Sequence, residues 1–154
     1  MNSMERYGSL AARAALATIF VISGLGKLAG PEGAAAYIAS KGLPAPMLLA
    51  LLAGVTELAG GVMLAVGLRT RLAALALALF LVPATVLFHN PFGLTGVEAH
   101  MQQIQVLKNL AIAGGLVALV TWGAGAISLD ARLKRRGGSE ARATSQPPQA
   151  AASG

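Results

Sequence analysis

The stretch MLLALLAGVTELAGGVMLAVGL, residues 47–68, decides the architecture. Between Pro44 and Arg69, Glu57 is the only ionisable residue. A helix on the surface of a soluble bundle needs a polar face, and none can be drawn here. The run matches the roughly 20 apolar residues that carry an α-helix across a hydrocarbon core of about 30 Å. Working outward, three similar runs occupy residues 10–29, 72–89 and 104–123. Pro83 and the Gly114-Gly115 pair interrupt two of them. Membrane helices tolerate such breaks where neighbours satisfy the freed backbone groups. The expected fold is all-α, a four-helix transmembrane bundle.

Composition points the same way. Of 154 residues, 55% are apolar and 12% charged, against about 25% charged in soluble domains. Mean hydropathy is +0.66. The absence of cysteine excludes thiolate metal sites, disulfide relays and Fe–S ligation by this chain. Arg6 and Arg13 resemble the n-region of a cleaved signal peptide. The run after them holds Lys27, however, and no clear small-x-small cleavage site follows.

The net charge is +6 and the pI about 10.6. Arg6, Arg69, Arg71, Arg132, Lys134, Arg135, Arg136 and Arg142 all fall at one end of the four spans. The loops at the other end, residues 30–46 and 90–103, carry Lys41 alone. Positive loops stay in the cytoplasm, so both termini are expected there, N-in/C-in. The basic cluster at 132–136 is expected to meet anionic lipid. Without interleaved aromatics it does not read as a nucleic-acid surface, so no nucleic acid is expected as a partner.

Residues 1–9 read as a short cytoplasmic lead, 10–136 as the membrane domain and 137–154, rich in Gly, Ser, Gln, Pro and Ala, as a disordered cytoplasmic tail. Residues 32–40 suit a short interfacial helix, and the polar stretch 96–103 can open the fourth helix early.

Charged groups at membrane depth are costly unless they pair or reach water, and are functional candidates by default. Four positions qualify: Lys27, Glu57, His89 and Lys108. With the second span running inward, Glu57 lies about 15 Å deep, at 1.5 Å per residue. Lys27, His89 and Lys108 sit toward the outer ends of their spans, so the polar set clusters in the outer half with Glu57 at its floor. Gln105, Lys108, Asn109 and Ile112 share one side of the fourth helix. Glu57 requires a cation or a proton. Each residue also has a plain reading: Lys27 and Lys108 as interfacial snorkels, His89 as a boundary residue, Glu57 as half of a Glu–Lys bolt, Asn109 as interhelical glue. Arg13, near the inner end of the first span, reads as a snorkelling anchor. His89 and His100 lack supporting spacing for haem or metal, so no haem, Fe–S cluster or metal site is expected.

Several stretches together resemble the DoxX family of four-helix membrane proteins, in its YphA/YqjF-like inner-membrane branch. They are FVISGLGK (20–27), GLPAP (42–46), ELAGG (57–61), GLRTR (67–71), FHN (88–90), LKNL (107–110) with Gly114-Gly115, and SLDAR (128–132). The resemblance implies a multi-pass protein of the bacterial inner membrane. Some relatives resemble membrane subunits of thiosulfate:quinone oxidoreductase; others resemble anchors that join soluble redox and detoxifying enzymes at the membrane. Members of this branch often have histidine where this chain has Gln105, and an aromatic pair where it has Pro91-Phe92. Fold transfers across such a family more safely than chemistry.

Two functions compete, with a third behind them. The first is a redox-linked membrane subunit binding a quinone head or small oxyanion, with Lys27, Lys108, Asn109 and Gln105 holding the ligand, Glu57 exchanging protons and His89 at the mouth. A quinone is then the cofactor candidate, and any electron carrier is supplied from elsewhere. The second is a non-catalytic scaffold whose basic 132–136 segment docks a soluble redox or detoxifying partner. The third, a small-solute transporter, requires a homo-oligomer. The lipid bilayer is a partner under all three.

Overall fold

The computed structural model describes residues 3–145. Six helices follow in order: α1 (Ser3–Ala29), α2 (Pro31–Ser40), α3 (Pro46–Val66), α4 (Thr70–Phe88), α5 (Gly96–Trp122) and α6 (Leu129–Ser145). No strand occurs among the described residues. Helices α1, α3, α4 and α5 are long and apolar enough to cross a membrane, as the sequence predicts. The 21 residues of α3 rise about 31 Å at 1.5 Å per residue. Helix α5 does begin early, at Gly96, and α2 takes the place of the expected interfacial helix. Residues 137–145, assigned to the tail by composition, continue α6. Its Ala, Glu and Arg residues favour helix enough to carry it past Gly137-Gly138. Residues 146–154 of that expected tail lie outside the described residues.

Large apolar side chains cover the outside. Ile22, Leu79, Val86 and Leu110 are each about two-thirds exposed, which is ruinous in water and natural against lipid tails. The interior is small by comparison. Ala17, Phe20, Leu64, Ala74, Leu77, Leu81 and Leu116 form its main cluster, and Ala35 and Ile38 of α2 pack on Ala50 of α3.

In lipid, helices associate by close packing rather than by escaping water, so small residues concentrate at their contacts. The α1–α3 seam is the tightest. A Cβ on Gly24 would fall 2.6 Å from the Leu58 backbone nitrogen and 2.8 Å from the Gly54 oxygen. On Gly61 it would meet the Val21 nitrogen at 3.0 Å. Gly60 makes the corresponding room for Leu77 of α4. Two backbones thereby come close enough to set side chains of α1 and α3 directly opposite each other.

The α3–α4 turn is equally specific. Gly67 ends α3 in the left-handed region (φ 69°), its nitrogen donating to Leu64 and that of Leu68 to Met63. Arg69 follows at φ 44°, and α4 starts at once. The resulting topology leaves two ends. Helix α1 begins at one of them, together with the α3–α4 turn and the arginines of α6. Helix α2 and the α4–α5 loop close the other.

Candidate functional site

Near the α2 end, Lys27 of α1 and Glu57 of α3 face each other across the glycine seam. Lys27 Nζ donates to Glu57 Oε2 at 2.7 Å and to Ser23 Oγ, one turn back, at 2.6 Å. The Glu57 side chain is 10% exposed and that of Lys27 27%, so the carboxylate is the more desolvated partner. The seam explains the geometry: a Cβ on Gly54 would touch Lys27 Cβ at 3.1 Å, so any larger residue there would push the ammonium away from the carboxylate.

This pair forms part of the wall of a cavity of about 450 Å³. His89, Lys108 and Asn109 line it as well, with Phe20, Ile38, Leu81 and Phe88 supplying apolar wall. Asn109 is buried on α5 and donates from Nδ2 to Thr85 Oγ1 at 2.9 Å; the Thr85 hydroxyl in turn donates to the Leu81 oxygen at 2.7 Å. His89 caps α4 and lies 3.2 Å from Gln102 Oε1 through Nδ1. Lys108 is exposed and donates to Gln105 Oε1. Five of the six residues singled out in the sequence thus meet on one cavity. Gln105 does not line it and instead stands behind Lys108. His100 is exposed on α5, away from the cavity.

Sequence reading missed the cover over this cavity. Tyr37 of α2 donates its hydroxyl to the Phe88 oxygen at 2.7 Å, and the two rings lie 5.5 Å apart, tilted by 38°. Both line the cavity. Helix α2 is therefore tethered across the mouth by a bond to the last turn of α4. An aromatic in an otherwise Ala-rich helix was the available signal.

The opposite end holds a second polar assembly, centred on Arg13. Its expected role as a snorkelling anchor is overturned: Arg13 is 1% exposed. The guanidinium turns inward, donating from Nη1 to the Ala124 oxygen, from Nη2 to Ile127 at 2.9 Å and more loosely to Ala65 at 3.4 Å. Ser9 Oγ adds a bond to the Ala124 oxygen at 3.0 Å. Gly67 is obligatory beside it, because a Cβ would lie 2.8 Å from Arg13 Nη1 and 2.5 Å from Ser128 Cβ. Asp130 completes the clasp. Its carboxylate accepts from the backbone nitrogens of Arg69 at 2.7 Å and Thr70 at 2.9 Å, and its own nitrogen donates to the Gly67 oxygen at 2.9 Å. The stretches GLRTR and SLDAR, far apart in sequence, are the two halves of one joint. The signal for it was Asp130, the sole carboxylate between Glu98 and Glu140.

Burial alone would push the Asp130 carboxyl up. The N–H groups of Thr70 and Arg69, with the nearby Arg13 charge, outweigh it and hold the group below the usual carboxylate value. A depressed folded value means stability that is fully present above the unfolded value, near pH 4, and is lost as pH falls through the folded one. Thermal unfolding in detergent is expected to lose midpoint below about pH 4, and Asp130→Asn to flatten that acid limb. An identical acid limb in the variant would refute the role.

The DoxX family model matches residues 8–90. That segment carries Arg13, Lys27, Glu57 and His89. Inner membrane protein YphA of Escherichia coli (strain K12) is 37% identical over 123 residues, covering 80% of this chain and 88% of YphA. Inner membrane protein YqjF of the same organism is 35% identical over 136 residues, covering 88% of this chain and 99% of YqjF. A Bacillus subtilis (strain 168) protein named "Putative oxidoreductase CatD" is 38% identical over 94 residues, covering 60% of this chain and 69% of that one. No solved structure matches. With a family model spanning more than half its length and relatives aligned over 80% and 88% of it, this chain belongs to the DoxX family.

Proposed function

We propose that this protein is a redox-linked membrane subunit of the bacterial inner membrane, with both termini cytoplasmic, that binds a quinone head or a small oxyanion in the cavity beside Lys27 and Glu57. The observation that carries the reading is an ion pair set at the edge of a largely apolar cavity of about 450 Å³. That volume lies in the range of ligand sites, roughly 300–1,000 Å³, where a few convergent polar groups in an apolar wall fix orientation. Lys27, Lys108 and Asn109 offer N–H donors suited to a quinone carbonyl or to an anion's oxygens. Reduction of a quinone to the quinol takes up two electrons and two protons. A soluble redox protein would deliver the electrons, and the Lys27–Glu57 pair would pass protons to the ring oxygens and reload past His89. The name carried by the Bacillus relative agrees with oxidoreductase chemistry.

One observation favours the scaffold reading instead. Each polar side chain at the cavity has a partner within the chain: Lys27 has Glu57, Asn109 has Thr85, Lys108 has Gln105 and His89 has Gln102. Groups so satisfied can serve simply to bolt helices, while the basic α6 docks a soluble enzyme.

Quinone content separates the two. The protein purified in mild detergent is expected to retain near-stoichiometric isoprenoid quinone, and Glu57→Gln to lose most of it while eluting as the same species on size exclusion. Trace quinone, unchanged by the substitution, would refute the ligand reading and favour the scaffold.

A further inference from the structure

A second cavity, of about 430 Å³, opens at the Arg13 end and is lined by Arg6, Ala126, Ile127, Arg132 and Arg135. Nothing in the proposed quinone site involves it. Arg6 comes from the first turns of α1, Ala126 and Ile127 from the α5–α6 loop, and Arg132 and Arg135 from one face of α6, three positions apart. Three arginines from two helices distant in sequence thus line one cavity, the Arg6 guanidinium lying 5.8 Å from the centre of the Tyr7 ring.

The loop beneath turns several of its acceptors toward donors within the chain. The Ala124 and Ile127 oxygens accept from Arg13, and the Gly125 oxygen accepts from Ser128 Oγ at 2.8 Å. These three carbonyl oxygens are therefore engaged by donors within the chain. Asp130 of α6 is held by the nitrogens of Arg69 and Thr70. Arg13 pins this floor through its bonds to the Ala124 and Ile127 oxygens.

The surroundings specify which anion. Tyr7 is 58% exposed and Trp122 79% exposed at the same end of α1 and α5, the amphipathic aromatics that mark the headgroup level of a bilayer. Helix α6 exposes Leu129 and Leu133, one turn apart, beside its arginines. An amphipathic helix of that kind lies in the interface with its apolar residues toward acyl chains. The cavity accordingly sits where phospholipid phosphates lie.

We infer that the Arg6–Arg132–Arg135 cavity binds the phosphodiester headgroup of an anionic phospholipid, with planar guanidiniums gripping the phosphate oxygens. Lys134 and Arg136 belong to the same basic run but do not line the cavity, and they supply the control. The test is native mass spectrometry of the full chain in neutral detergent, delipidated and titrated with phosphatidylglycerol or phosphatidylcholine. Neutral micelles remove the general attraction of a charged membrane and leave direct contact.

Phosphatidylglycerol is expected to bind the wild type, and Arg132→Gln/Arg135→Gln to weaken it at least tenfold per charge-assisted bond removed. Lys134→Gln/Arg136→Gln, removing the same net charge, is expected to stay within about threefold of the wild type, well short of one such bond. Equal loss in the two double variants, or none in either, would overturn the site. So would equal retention of phosphatidylcholine. Displacement of the lipid by excess inorganic phosphate would reassign the cavity to a soluble anion and overturn the lipid. Arg6→Gln, on a different helix, repeats the test without touching α6.

Discussion

Replacing Arg13 by methionine is expected to destabilise the bundle by about 3 kcal/mol, among the largest effects of any single substitution. The substitution leaves the Ile127 carbonyl and the weaker Ala65 contact without the Arg13 donor, and leaves the Ala124 carbonyl with Ser9 alone. Each unsatisfied buried acceptor costs about 1–3 kcal/mol, and part is returned because a charge no longer has to be desolvated. Arg13→Lys keeps the charge but replaces the planar, five-donor fork with a compact ammonium, so it is expected to recover less than half. The measurement is reversible unfolding by SDS from mild detergent micelles. A surface anchor would yield less than about 1 kcal/mol; a loss that small would dissolve the clasp and with it the rigid floor of the phosphate cavity.

Lys27→Met is expected to cost a similar amount, about 3 kcal/mol, because it strands Glu57 with no cation in a nearly buried position. The lower end of the usual 3–5 kcal/mol applies, since Lys27 is partly exposed and a path to water remains. The informative variant is the pair. Lys27→Met/Glu57→Met removes both charges together, and apolar replacements of a buried ion pair are often neutral or better. It should therefore be more stable than Lys27→Met alone by about 2 kcal/mol, and with Glu57→Met measured as well the cycle should show a coupling of about 0.5–3 kcal/mol, as for residues in contact. Strictly additive losses would mean that the two side chains do not pair. The same double variant also divides the functional readings. A stable protein that has lost its quinone supports the ligand site, whereas a stable protein with every activity intact leaves the pair as a helix bolt.

The two assemblies sit at opposite ends of the bundle and have different characters. The clasp around Arg13 joins the α3–α4 turn, the α5–α6 loop and the first turns of α1, and its partners are mostly backbone carbonyls. The cavity at the other end is walled by side chains from five helices, and its cover, α2, is fixed to α4 by Tyr37. The tightly bonded end holds the helices in register. The other end keeps room between α1 and α5, which touch lower down where Leu16 lies against Gly115.

Much of this was determined by the sequence alone. Crossing a bilayer is a property of one helix at a time: about 20 apolar residues suffice, whatever the neighbours do. Four spans, their alternating directions and the depth of Lys27, Glu57, His89 and Lys108 could therefore be counted along the chain. Which way a side chain points around its helix axis is a different matter, because it depends on which neighbour comes close. The Lys27–Glu57 bond joins residues thirty positions apart, and it exists because Gly24 and Gly54 let two backbones meet. Arg13 stands at a depth from which a long side chain can reach the headgroups, so the sequence allowed an outward anchor. Only the folded chain, with Gly67 leaving space and the Ala124 and Ile127 carbonyls accepting from it, shows that the guanidinium faces the interior. Gln105 shares the helical face of Lys108, yet it accepts from that lysine and does not line the cavity. Depth is one-dimensional and local, whereas partnership is three-dimensional and was decided by close approach at a few glycines.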